Sequence, residues 1–132
     1  MKESTFRMAL AVFLCFASAT LSAAEFDGSK PLLCATIDAH ACDAGETCLR
    51  ALPSELGAPQ FLRIDFAKKT VTGPQHTTPI RFMQTDEKQI LLQGTEFTFA
   101  WTIVLDTVDG TIGVTLVNRE NALVLFGACT AM

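Results

Sequence analysis

Four cysteines carry most of the reactive chemistry of this chain: Cys34, Cys42, Cys48 and Cys129. A fifth, Cys15, lies inside an apolar leader. An even number of thiols in a small exported chain reads as a disulfide framework. Four cysteines permit three pairings, and spacing alone leaves all of them open. Cys42–Cys48 with Cys34–Cys129 is the preferred set. The first bond closes a short loop through Asp43-Ala44-Gly45-Glu46, which can turn. The second ties the amino-terminal part to the last strand, and a loop of that length is worth about 4.7 kcal/mol in the chain-entropy model.

The remaining reactive residues do not assemble into a recognisable catalytic pattern. Asp38, His40 and Cys42 alternate, with Cys48 nearby, and these side-chain types bind zinc. No Cys-x2-Cys pair accompanies them, and an oxidising compartment would consume the thiols as disulfides. Neither a metal nor a cofactor is therefore expected. Ser29 and Ser54 are the serines outside the leader, and neither lies in Gly-x-Ser-x-Gly. His40 and His76 are the two imidazoles. Ser54 belongs to a helix-start pattern, Pro53-Ser54-Glu55, and His76 to a surface loop. The carboxylates Asp86-Glu87 and Asp106/Asp109 flank turns, where aspartate is ordinary. Gly110 and Gly113 precede no helix, as a phosphate loop would require. The expectation is a protein that is not an enzyme. Trp101, the single tryptophan, sits among Phe97 and Phe99. These three form either core or the wall of a site for a small apolar ligand, and the second reading needs a barrel with spare volume.

Charge and hydropathy narrow the setting. Lys2 and Arg7 precede a continuous apolar run, Met8–Leu21, and small residues Ser22-Ala23-Ala24 follow it. This three-part pattern predicts a signal peptide over residues 1–24, cut after Ala24, and a single β domain over residues 25–132. Leu14 and Phe16 around Cys15 do not fit a lipid-attachment site. The domain keeps 8 Lys+Arg against 13 Asp+Glu, a net of −5. Such a balance argues against nucleic acid and against anionic headgroups. It contains no apolar run near the roughly 20 residues that span a bilayer. The expected location is periplasmic or extracellular, with no stable membrane insertion after cleavage.

The segments that position these residues read as β. Leu32–Ile37 suits one strand, and the rest of Cys34–Arg50 reads as a stapled loop region without a clear period. Leu49–Leu56 suits a helical turn stopped by Gly57 and Pro59. From Pro59 onward the chain alternates. The clearest strand is Glu96–Asp106, with Phe97, Phe99, Trp101, Ile103 and Leu105 at every odd position. Asp109-Gly110 then turns the chain into Thr111–Val117. About seven strands at short spacing predict an all-β fold, a small antiparallel meander forming a sandwich or barrel. Its amino-terminal segment would be stapled by disulfides.

The second face of the last strands is not strongly polar. Thr98, Ala100, Thr102 and Val104 continue into Thr111, Gly113, Thr115 and Val117, then Val124 and Phe126. A face open to water shows cleaner alternation, so a cover is expected. Two covers fit: the chain's own segment Leu32–Leu56, or a partner protein or second copy meeting Val104, Val117 and Val124.

The runs Pro59–Val71, Leu91-Leu92-Gln93-Gly94, Trp101–Asp106 and Phe126-Gly127-Ala128-Cys129-Thr130 together resemble a group of small secreted uncharacterised proteins of Gram-negative bacteria. The resemblance implies export and a shared β fold, and brings no activity with it. Small periplasmic barrel inhibitors of lysozyme depend on tyrosine in a Ser-Gly-x-x-Tyr motif, and this chain has no tyrosine. The sequence thus points to an exported, non-catalytic binding or envelope-associated module, with a carrier of a small apolar ligand as the alternative.

Overall fold

The computed structural model describes residues 25–132, so the expected signal peptide over residues 1–24 lies outside the described residues. Ten strands follow one another: β1 (Leu32–Asp43), β2 (Leu49–Ala51), β3 (Phe61–Asp65), β4 (Thr70–Thr72), β5 (Thr77–Pro79), β6 (Phe82–Thr85), β7 (Gln89–Glu96), β8 (Phe99–Asp106), β9 (Thr111–Val117) and β10 (Asn121–Ala131). They form one sheet in the order β5-β4-β3-β1-β10-β9-β8-β7-β6, with β2 attached to β1. Every pairing is antiparallel. The fold is the expected all-β meander, curled into a half-barrel. The first and last long strands meet in the middle of the sheet, and its two ends, β5 and β6, are neighbours in sequence.

The segment read as a stapled loop is instead a central strand. β1 pairs with β10 on one side and with β3 and β2 on the other. It therefore does not lie over the outer face of the sheet as a cover. A bulge explains why its period was hidden. The register slips between Thr36 and Asp38, leaving Ile37 without a partner. Before the slip the even residues Leu32, Cys34 and Thr36 point inward; after it Ala39 does. An inserted residue reverses the alternation, so no single period spans the strand. Opposite the bulge, a Cβ on Gly127 would collide with the Ala35 carbonyl. Only glycine admits that close approach of the two backbones.

Both disulfides attach to β1. Cys34 and Cys129 are direct partners in the β1–β10 register, with Cα atoms 3.9 Å apart. Cys42–Cys48 closes the β1–β2 hairpin one step beyond the Ala41–Leu49 pair. The helical turn is confined to Pro53–Leu56 as a 3₁₀ turn. The Leu52 N–H donates to Glu55 Oε2 at 2.9 Å, and Gly57 ends the turn at φ +66°.

The long strand expected over Glu96–Asp106 starts later, at Phe99, as β8, and Glu96 is the last residue of β7. The chain reverses at Phe97-Thr98, where Phe97 has φ +52°. Glycine, asparagine and aspartate are the usual residues there. The alternating aromatics mask the turn because no such residue announces it. The core inside the curl is formed by Ile90 and Leu92 of β7, Trp101, Ile103 and Leu105 of β8, Ile112 and Val114 of β9, and Leu125 of β10. Leu32 and Ile64 close it from β1 and β3. Each fully buried Leu or Ile contributes about 1.5–3 kcal/mol.

Candidate functional site

The outer face of β8, β9, β10 and β1 is arranged in ladder rows. One row runs Val104, Gly113, Phe126, Asp38; the next runs Thr102, Thr115, Val124, His40, Arg50; a third runs Ala100, Val117, Ala122, Cys42. The three valines named from the sequence therefore share one face, on adjoining strands. Val117 and Phe126 remain exposed, while Val104 and Val124 are half-buried. Ile37, the unpaired residue at the bulge, is 69% exposed and extends the apolar surface. Gly113 leaves a gap between Val104 and Phe126, and a groove of about 550 Å³ opens there beside Ile37, Lys88 and Asp106. No element among the described residues lies across this groove; the segment Leu32–Leu56 contributes its edge rather than a lid. Thr98, expected on the same face, is in the β7–β8 turn.

A polar margin runs along the β1 side of the face. Arg50 Nε donates to Asp38 Oδ1 at 2.8 Å, and His40 Nε2 lies 3.8 Å from Asp38 Oδ2. The Arg50 hydrogen bond holds the Asp38 carboxyl below its usual range, partly opposed by desolvation. The His40 ring stands edge-on to Phe126, with centroids 6.3 Å apart. Cys42 and Cys48 are joined to each other, so they are not thiolate ligands beside His40. Among the described residues no group of three or more His, Cys, Asp or Glu side chains could hold a metal ion.

The aromatic trio proposed as a pocket wall is dispersed. Trp101 is 5% exposed and Phe99 is half-buried, whereas Phe97 is 81% exposed at the tip of its turn. Phe97 instead stacks edge-on against His76 at 4.8 Å, so the second histidine has an aromatic neighbour outside the barrel. Trp101 lies across the junction between the two ends of the sheet. Its Nε1–H donates to Thr78 Oγ1 at 3.4 Å, and Thr78 Oγ1 donates to the Thr95 carbonyl at 3.2 Å. Gly94, the register partner of Trp101, provides the room: a Cβ there would overlap the indole and approach the Pro79 carbonyl to 2.8 Å. The cavity beside Trp101 measures about 30 Å³, lined by Leu62, Val71, Ile103 and Leu116 among others. That is about the volume of one water, against roughly 300 Å³ or more for a small-molecule site.

No protein-family model matches the chain, and neither a curated protein nor a solved structure shows significant similarity to it. The site must therefore be read from its own chemistry.

The carboxylates read as turn formers do form turns. Asp86 Oδ1 accepts from the Lys88 and Gln89 N–H groups, each at 2.9 Å. Asp106 Oδ1 accepts from the Val108 N–H at 2.7 Å, and Asp109 Oδ1 from the Thr111 N–H at 2.9 Å and hydroxyl at 2.7 Å. The Thr111 backbone and hydroxyl hold the Asp109 carboxyl below its usual range. Ser54 belongs to the 3₁₀ turn. Sequence reading missed Ile37 and Arg50 as members of the outer face. The missing signal was the bulge, because a uniform alternation from Leu32, Cys34 and Thr36 would turn Asp38 and His40 inward and leave Ile37 apart from the face they share with Arg50. The two disulfides suit an oxidising compartment. Among the described residues no helix is long and apolar enough to cross a membrane.

Proposed function

We propose that this chain is an exported, non-catalytic binding module of the cell envelope. On this reading its outer β8–β9–β10–β1 face meets a protein partner. The observation that carries the reading is the groove over Gly113, flanked by Val104, Phe126 and the bulged Ile37. A sheet face that keeps apolar side chains toward solvent beside an Asp38–Arg50 ion pair has the make-up of an interface: apolar centre, polar rim. Two disulfides and the leader's three-part pattern support export. The resemblance to small secreted proteins of Gram-negative bacteria points the same way.

The test is site-directed photo-crosslinking in cells that export the protein through its own leader. A photoreactive residue at Val104, Val117 or Val124 is expected to trap one discrete protein adduct. The same residue at Arg63, on β3, is expected to trap none. An even, weak background at all four positions overturns the reading. Quenching of Trp101 fluorescence by a small apolar probe, with no adduct at any position, transfers the assignment to the carrier alternative.

A further inference from the structure

The sheet has two ends, and only one of them is guarded. At β5, Pro79 has no N–H to offer, and the Thr78 hydroxyl is already bonded across to β7. Proline and tertiary contacts of this kind blunt an edge. β6 has neither device. Phe82, Met83, Gln84 and Thr85 pair with β7 alone, and all four side chains are exposed.

The phase of the ladder identifies which backbone groups are free. The Asp86 N–H donates to the Gln89 carbonyl at 2.9 Å, so these two residues form a hydrogen-bonded pair. Alternation along an antiparallel ladder then turns the backbone groups of Gln84 and Phe82 toward β7, and those of Met83 and Thr85 away from it. Among the described residues, no backbone or side-chain hydrogen bond outside that ladder reaches the Met83 or Thr85 backbone. A strand with a free row of N–H and C=O groups accepts another extended chain.

The flanking charges select which chain. Arg81 stands at one end of β6, and Asp86 and Glu87 at the other, all exposed. An antiparallel copy of the same strand therefore meets opposite charge at both ends. A two-fold axis through Gln84 pairs Met83 with Thr85 of the second copy, the residues whose backbone groups are free. The same axis sets Arg81 opposite Glu87 of the second copy. The alternative axis, through Met83, leaves Arg81 opposite Thr85 and the charges unmatched. We propose that β6 is a self-association edge, at which two copies of this chain join β6 to β6 and continue one antiparallel sheet across a symmetric dimer. This goes beyond the outer-face reading and uses none of its residues.

Sedimentation equilibrium on the protein produced with its own leader tests the proposal over a concentration series at low and high salt. A monomer–dimer equilibrium weakened by salt is expected. Met83→Pro removes an N–H that β7 does not use, and is expected to raise the dissociation constant about tenfold or more, since one donor per copy is lost. Glu87→Arg is expected to raise it about threefold, and Arg81→Glu in the same chain to restore it. Circular dichroism and Trp101 fluorescence confirm that each variant is folded. A monomer at every concentration overturns the proposal. So does a dimer indifferent to Met83→Pro, or one that dissociates with Val117→Lys instead. If Met83→Pro fails to fold, the charge swap decides: restoration supports the edge, and additive weakening rejects it.

Discussion

The seam between β1 and β10 and the junction between β5 and β6 join the same sheet in opposite ways. At the seam, eleven register pairs run from Leu32–Ala131 to Asp43–Asn121, and a covalent bond links the third of them, Cys34–Cys129. At the junction no ladder forms between the two strands. The ends are held by one tryptophan lying over one glycine, and by a threonine hydroxyl bridging to the Thr95 carbonyl. The seam joins residues far apart in sequence, so its entropic cost of closure is high and a staple there is effective. The junction joins neighbours, so the chain itself keeps the ends close and side-chain contacts suffice. The difference teaches where a curled sheet needs covalent help: at the pairing that costs most to bring together.

The largest expected effect follows from the seam. Replacing Cys34 and Cys129 with alanine should lower stability by about 4 kcal/mol, against about 2 kcal/mol for Cys42 and Cys48, because the loop opened is far longer. Urea unfolding of the two double variants measures this, and equal losses would break the comparison. At the junction, Gly94→Ala forces a methyl into the indole of Trp101. A loss of about 2 kcal/mol is expected, with a red shift of Trp101 emission as the ring is displaced toward water. Unchanged emission would mean that the ends are held by something other than this contact.

The smallest effect concerns the Asp38–Arg50 pair on the seam strand. The carboxyl of Asp38 is lowered on folding by the Arg50 hydrogen bond. A group lowered in this way stabilises the fold above its unfolded pKa, and the contribution is lost as pH falls through its folded value. Asp38→Asn should therefore be slightly less stable than the parent at neutral pH and converge with it on acidification. Denaturant midpoints across that range check the sign. A variant parallel to the parent at every pH would show that solvent screens the pair.

The legibility of the site follows from how each residue signals itself. Val104, Val117 and Val124 were readable because β8, β9 and β10 alternate without interruption. The outward placement of Asp38 and His40 was not, because a bulge after Thr36 reverses the phase of β1 in mid-strand. Phe97 was placed in a strand because its turn uses an aromatic where glycine is usual. β2 was hidden in a segment that suits a helical turn, and β5 in a stretch between Pro74 and Pro79 that reads as a loop.

Composition and alternation by themselves determined the β class, the longer strands after Pro59, the turn chemistry of the aspartates and the presence of a disulfide framework. These are local properties, expressed within a few residues and repeated along the chain. The tertiary structure decided that β1 lies at the centre of the sheet, that Gly94 is the seat of Trp101 and that β6 is left with a free edge. Each of these depends on which strands become neighbours, and that is set by the curl of the whole sheet, which brings together residues that no local pattern connects.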